Sequence, residues 1–362
     1  MSYIPKYTIT NAILKNVGLI DAAREIIDNA PLVPAWERRF RASARTRIIH
    51  HGTHLEGNSL NFSEVEKVVA QESTDVPPEN VVGRDRDLQE VINYRAVMEY
   101  IDSLENTSLE SPLVLSENML KEIHVLTVER LLPPGESGKY RRVKVVIRNT
   151  TSGEITFRPP PPIEVESSMS DLFAWLSSPS GMSCHPLLRA GILHYELVRI
   201  HPFTDGNGRA SRAMALLLLF LENYKIKKFF ALEDYYDSSP VDYYQALKSV
   251  SDMGGDLTSW LEYFILGISI EFNRIKETVQ KLSLDLKLKS TIGGKQIALS
   301  DRQIRLIEFI ERHGTLGMSD GRELLPNVSD DTVLRDLRDL VEKKLILKKG
   351  HTKGAKYYLV NQ

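Results

Sequence analysis

The sequence predicts a mainly α-helical protein, interrupted by one β-hairpin and followed by a small helical domain that ends in a second hairpin. Three observations carry this reading. Helical patterning broken by prolines runs through most of the first 290 residues. Period-two alternation is confined to Gly138–Phe157 and to the C-terminal end. At 362 residues the chain exceeds one typical domain. Three regions are expected: 1–110, 111–290 and 296–362.

Each element has a local cause. Pro31 and Pro34 interrupt one helical stretch, and Pro77-Pro78 mark a loop, because proline lacks an N–H and clashes inside a helix. Asn61-Phe-Ser-Glu64, placed before Val65, Val68 and Val69, reads as a capping box that starts a helix just after Glu56-Gly-Asn58. A further helix is expected over Asp87–Leu104. From Gly138, Val143, Val145 and Ile147 alternate with Lys144, Val146 and Arg148; the turn-rich Asn149–Gly153 follows, then Ile155 and Phe157, which together predict a hairpin. Pro159–Pro162 imposes a short, stiff polyproline connection. Pro186–Leu221 is helical apart from a break at His201–Gly208, and Leu257 to about Ser290 forms one or two helices. Thr291-Ile-Gly-Gly-Lys295 reads as a hinge. Beyond it come helices over Arg302–Arg312, Gly321–Leu325 and Ser329–Lys343. Short strands at Leu345–Lys349 and Lys356–Val360 complete the chain.

Composition excludes several function classes. Hydrophobic residues make up 42% and charged residues 26%, a globular rather than disordered profile. A formal net charge of −2 excludes bulk electrostatic capture of nucleic acid or acidic membrane. The single cysteine, Cys184, excludes an internal disulfide and a multi-thiolate metal site, and reads as a small thiol rather than a nucleophile. The first eight residues lack the apolar core of a secretory signal, and the longest apolar run, Ala213–Leu221, is well short of the roughly 20 residues that span a bilayer. A cytoplasmic protein with no membrane partner is expected.

Chemistry concentrates in His201-Pro-Phe-Thr-Asp-Gly-Asn-Gly-Arg-Ala-Ser-Arg212. A glycine-rich turn that opens a helix directs several backbone N–H groups at one point, and the helix dipole adds positive potential there. Arg209 and Arg212 lie one turn apart and can reach the same anion. This is a polyphosphate cradle by composition. Asp205 beside it is a lone carboxylate suited to Mg²⁺, which keeps waters and borrows phosphate oxygens. His201 ends the preceding helix, where the dipole favours the imidazolium, and its ordinary pKa suits proton transfer near neutrality.

The twelve residues resemble the Fic family signature, His-x-Phe-x-Asp/Glu-Gly-Asn-Gly-Arg-x-x-Arg. The chain is similar to bacterial Fic proteins over nearly its whole length, most densely over Leu55–Tyr263. The resemblance implies a Fic-fold helical bundle with a β-hairpin flap. It implies transfer of AMP from ATP to a Ser, Thr or Tyr hydroxyl of a target protein, with release of pyrophosphate. Carried over, His201 is the base, Phe203 anchors the loop, and Asp205 binds Mg²⁺ between the α- and β-phosphates. Gly206, Asn207 and Gly208 form the anion hole, Arg209 contacts the distal phosphates and Arg212 the γ-phosphate. Ala210 and Ser211 between those arginines belong to the same ATP-binding stretch. The hairpin, residues 143–158, matches the family's flap, where an extended target segment pairs by strand addition. Tyr243, Tyr244 and Leu247 match the adenine pocket, with plain core packing as the open alternative. Ser251 stands where family members often carry Asn.

His54-Leu-Glu-Gly-Asn58 resembles the family's inhibitory helix, whose usual form is Ser/Thr-x-x-x-Glu-Gly/Asn. Glu56 supplies the acid, and pairing with Arg212 would occupy the arginine that receives the γ-phosphate. Gly52 stands where the hydroxyl residue is expected, a departure that loosens the element. His50, His51 and His54 suggest a metal site, but with no supporting cysteine or second cluster they read as surface residues at a helix end.

The last three helices and two strands resemble a winged helix-turn-helix domain. From Gln296 to Gln362 there are 12 Lys/Arg and 10 Asp/Glu. Asp330 and Asp331 open the helix that would meet bases, whereas Lys343, Lys344, Lys348, Lys349, Lys353 and Lys356 gather around the wing. DNA binding and a protein-binding or dimer-forming role both stay open. Three other functions also stay open: phosphate transfer as in the Doc branch (disfavoured by the intact second glycine, Gly208), transfer of a different phosphate-containing group, and nucleotide sensing by a transcription regulator. Self-modification and a homodimer are compatible with the sequence and required by nothing in it.

Overall fold

Prolines and short polar side chains set where the helices begin. The computed structural model describes residues 3–30, 32, 34–71, 83–108, 113–148, 155–282, 299–326, 328–350 and 355–360. Thr10 caps α1 (Asn11–Asp28) by accepting from Ile13 N–H, and Pro34 opens α2 (Pro34–His54). Asn61 and Glu64 make the expected reciprocal capping box on α3 (Phe62–Ala70). α4 (Asp85–Ser108) and α5 (Glu117–Thr127), the latter capped by Ser116, follow. α6 (Pro162–Ser177), α7 (Pro179–Met182) and α8 (Pro186–Ile200) each begin on a proline, whose missing N–H would have been an orphan there. After α9 (Asn207–Leu221) come α10 (Leu232–Ser238), α11 (Pro240–Asp252) and α12 (Thr258–Leu282). Pro77-Pro78 and the hinge over 291–295 lie outside the described residues.

The chain divides into two compact units, Met1–Asn29 with Phe40–Thr278 and Ala30–Arg39 with Val279–Gln362. A division near residue 110 therefore does not separate two bodies. In the first unit α8 and α9 pack most extensively on each other, with α4 and α5 against α9 and α6 against α8. Both central helices are buried nearly all round, which is why their sequences are apolar on every face. The N-terminal segment joins the same unit: Leu257 N–H donates to the Lys6 carbonyl, and Thr10 Oγ1 donates to Glu262 at 2.6 Å. Cys184 is half-buried, 3.5 Å from the Tyr7 hydroxyl.

The hairpin is shorter than its sequence predicts. Among the described residues, β1 is Ile147–Arg148 and β2 is Ile155–Phe157, paired antiparallel. Val143 and Val146 are exposed and unpaired with β2. Alternation predicts a strand where one face has a core to cover, and here Arg141 fastens the preceding chain to carbonyls instead.

In the second unit, α13 (Asp301–His313), α14 (Met318–Leu324) and α15 (Asp330–Glu342) surround a core that includes Leu306, Ile310, Val333 and Leu337. β3 (Ile346–Lys349) and β4 (Lys356–Leu359) pair antiparallel, and Leu316 exchanges two backbone hydrogen bonds with Tyr357. At the start of α15, Asp330 is held by Arg322 at 2.6 Å.

Candidate functional site

The break between α8 and α9 is a loop whose every turn is fastened. His201 closes α8 in the left-handed region, φ 50° and ψ 61°, an unusual conformation for a residue with a side chain. Two groups make this tenable. Arg141 donates from Nε to the His201 carbonyl at 2.7 Å and from Nη2 to the Ile200 and Pro160 carbonyls, so it satisfies the orphan acceptors at the end of α8. Its own N–H donates to the Pro202 carbonyl. Phe203, fully buried, stacks face to face on His124 at 3.6 Å between centroids. His124 in turn donates from Nε2 to the Asp205 carbonyl, a tautomer fixed because Gly138 N–H donates to its Nδ1.

The Asn207 side chain turns back on its own loop. Buried, it accepts from Phe203 N–H at 2.8 Å and donates back to the Phe203 carbonyl, closing the turn on itself. What the turn offers an anion is backbone: the N–H groups of residues 207–209 head α9 and have no acceptor within the helix. Gly206, at φ 74° and packed against Val128, supplies a backbone that L side chains rarely adopt.

Two buried arginines point at this helix end. Arg212 donates from Nη2 to the Gly52 carbonyl and to Glu56 Oε1, both at 2.8 Å. Glu56 also explains Gly208: a Cβ there would lie 2.1 Å from Glu56 Oε1. The carboxylate thus sits directly over the first turn of α9. Burial works against charge on Arg212, but Glu56, then Tyr243 and Tyr94, hold its proton well above the usual arginine range. Arg209 lies 3.6 Å from Glu90 and 3.8 Å from Asp205. Among the described residues, buried Nε and Nη1 of Arg209 and Nε of Arg212 have no hydrogen-bond partner. Unpaired buried guanidinium donors mark a place for an anion.

His201 differs from its expected state. Burial pushes its pKa down to about 4, with the Val198 carbonyl and Glu56 offsetting only part, so the ring is neutral rather than imidazolium. The helix-dipole argument fails because desolvation is the larger effect. Asp205, about one-third exposed, takes Gly206 N–H on Oδ1 and Arg86 on Oδ2 at 2.7 Å. Although burial opposes it, Arg86 and Arg209 hold its carboxyl below the usual range. A hard oxygen donor beside the helix end, with only half-exposed Arg86 on its outer oxygen, fits Mg²⁺.

Residues 114–219 match the family described as Fic/DOC. The chain carries a Fic domain. It is 29% identical over 211 residues to the protein adenylyltransferase Fic of Culex quinquefasciatus, covering 58% of this chain and 39% of that protein. It is 28% identical over 220 residues to the protein of the same name from Nematostella vectensis, covering 60% and 48% respectively. The chain therefore spans less than half the length of these curated relatives. The crystal structure of a Fic family protein from Desulfovibrio desulfuricans G20 covers 99% of both chains at 27% identity, with a TM-score of 0.64.

Around the Fic loop, the three residues matched to an adenine pocket separate. Tyr243 is core, buried and within 2.9 Å of His194 Nε2, and Leu247 is buried beside it. Tyr244 is 47% exposed and donates to the Leu55 carbonyl at 3.4 Å. Ala210 and Ser211 are buried, and Ser211 Oγ donates to the Asn207 carbonyl. Gly52 has a reason of its own: a Cβ there would meet the Tyr94 ring at 2.5 Å. Its carbonyl holds Arg212, so the missing hydroxyl does not leave the element unfastened. Sequence reasoning missed Arg141, His124, Arg86 and Tyr94. His124 alone left a trace, as a histidine on the apolar face of α5 with Leu120, Ile123 and Thr127.

Proposed function

We propose that this chain transfers AMP from ATP to a side-chain hydroxyl of a protein, and that Glu56 holds it in check. One observation carries the reading: the Glu56 carboxylate, bonded to Arg212, lies against Gly208 where a triphosphate oxygen would otherwise meet the first turn of α9. The names of the relatives, protein adenylyltransferase, support AMP as the group transferred and ATP as its source.

With ATP present, the N–H groups of residues 207–209 and the unpaired donors of Arg209 and Arg212 bind phosphate oxygens, preorganised for charge that develops in the transition state. Asp205 would hold Mg²⁺, which supplies neutralising charge to the phosphates when bound. Neutral His201 accepts the proton of the incoming hydroxyl, and negative phosphates nearby raise its affinity for that proton. The hydroxyl oxygen bonds to the α-phosphorus, the α–β bridging oxygen leaves, and pyrophosphate departs. The segment 143–158 would present the target strand; exposed Val143 and Val146 offer apolar contact. Mg²⁺, the docking segment and self-modification are parts of the proposal.

Intact-mass spectrometry after incubation with Mg-ATP and a mixed protein substrate tests it. Glu56→Gly is expected to raise the yield of AMP-modified protein, and His201→Ala to lower it by about 10²- to 10⁴-fold. A phosphate mass in place of AMP, or equal yield from His201→Ala, overturns it. For the second unit, Asp330 and Asp331 at the head of α15 favour a protein partner over DNA.

A further inference from the structure

Of the three histidines at the end of α2, His50 and His51 are half-buried and His54 is about half exposed. All converge on Asp237, whose side chain is only 7% exposed. His51 Nδ1 lies 2.7 Å from Asp237 Oδ2, and His54 Nδ1 lies 2.8 and 2.9 Å from its two oxygens. His50 is packed edge-on against His51 at 4.6 Å and stacked on His54 at 5.8 Å. The two carboxylate oxygens serve two rings. The third ring is left over: His50 Nδ1 is buried without a hydrogen-bond partner. One ligand atom each from His50, His51 and Asp237 lies within 4.8 Å of the others.

Hydrogen bonding alone is a poor reason to crowd three imidazoles around one carboxylate, because the unpartnered nitrogen costs free energy. A cation that accepts two nitrogens and one oxygen removes that cost. We infer that His50, His51 and Asp237 form a binding site for a zinc-class divalent cation that ties the last turn of α2 to α10. Imidazole with carboxylate suits Zn²⁺, Co²⁺ or Ni²⁺, whereas Mg²⁺ and Ca²⁺ prefer oxygen throughout. Zn–ligand bonds of about 2.0–2.1 Å space tetrahedral neighbours about 3.3 Å apart, so the cluster closes by modest side-chain rotation. His54 or a water completes the four.

The surroundings match what a metal-bound imidazole needs. Asp234 Oδ1 lies 3.5 Å from His51 Nε2, placed to take the ring's outer proton, and Arg47 and Arg274 hold that carboxylate in place. The position has a consequence: His54 precedes Glu56 by two residues, so an occupied site clamps the segment that delivers Glu56 to Arg212.

The site goes beyond nucleotide transfer, and its test reads no transfer. The full chain, stripped by chelation, is titrated with Zn²⁺ against a chromophoric chelator, and with Co²⁺ by visible absorption. One saturable equivalent is expected. It should be lost in His51→Ala and in His50→Gln, and weakened about tenfold or more in Asp234→Asn. His50→Gln leaves both Asp237 hydrogen bonds in place, so loss of binding there is not a folding defect. No saturable binding by the wild type, or binding by His50→Gln and His51→Ala as tight as the wild type's, overturns the site. Amide exchange over residues 49–56 reads the clamp: slowing by Zn²⁺ in the wild type but not in His51→Ala is expected, and unchanged exchange with Zn²⁺ bound overturns it.

Discussion

Arg141 and Arg212 are both buried cations beside the break between α8 and α9, yet they are satisfied in opposite ways. Arg141 is 3% exposed and bonds the carbonyls of Val143, Pro160, Ile200 and His201. Nothing that diffuses can replace those acceptors. Arg212 is equally buried, but its partners are one carbonyl and one carboxylate that is about one-third exposed, and its Nε has no partner. A guanidinium saturated by backbone is scaffold, whereas one that shares a removable anion and keeps a spare donor is a receptor. Burial alone does not separate the two. The inventory of partners does.

The comparison breaks most sharply under substitution. Arg141→Met leaves four carbonyls short of a donor, and at about 1–3 kcal/mol for each buried unsatisfied group the expected loss is about 4 kcal/mol or more. Arg141→Lys should not rescue it, because an ammonium cannot span acceptors laid out for a planar fork. Arg212→Met should cost less, about 1–3 kcal/mol, since only the Gly52 carbonyl loses its buried donor and Glu56 can turn to water. That variant should nevertheless lose nucleotide binding. Urea unfolding alongside a nucleotide-binding titration reads both. Equal destabilisation by the two Met variants would erase the distinction.

The Arg212 side also titrates. His194 is fully buried, and burial, reinforced by Arg212, pushes its pKa down to about 3. In the unfolded chain it takes a proton near its ordinary 6.5, so the unfolded state binds more protons between those values. Its contribution is therefore complete above about pH 6.5 and falls as pH drops toward 3, by up to about 1.4 kcal/mol per pH unit. Stability measured by denaturant at pH 7 and pH 5 should differ less in His194→Phe than in the wild type. An unchanged difference would mean that other groups carry the acid limb.

How much of this was legible depends on the range of the interactions. The loop 201–212 could be read because glycine, carboxylate, imidazole and arginine lie within one local stretch. The capping box at Asn61–Glu64 is equally local. Arg141 could not be read, because its acceptors lie up to 60 positions away and a bond to a carbonyl leaves no complementary charge in the sequence. The hairpin was overextended for the converse reason: Val143, Val145 and Ile147 alternate, but no packed face rewards pairing before Ile147. Tyr243 and Tyr244 show the limit at single-residue scale. They are adjacent and identical, and only tertiary packing decides that one is core and the other exposed.

Gly52 gives the finest test, because sequence and structure read it differently. Pattern reasoning treats it as a missing hydroxyl, and installing serine should then tighten the hold on Glu56. Geometry predicts the reverse. A Cβ at position 52 meets the Tyr94 ring at 2.5 Å, and Tyr94 is buried, with its hydroxyl 3.5 Å from Glu233. Overpacking of this kind costs about 1–3 kcal/mol, and it displaces the carbonyl that Arg212 uses. Gly52→Ser should therefore lower stability and weaken Glu56 inhibition together. Tyr94→Leu removes the opposing ring, so the double variant should be more stable than the sum of the single effects requires. A cycle with no coupling would return Gly52 to the reading in which only its absent hydroxyl matters.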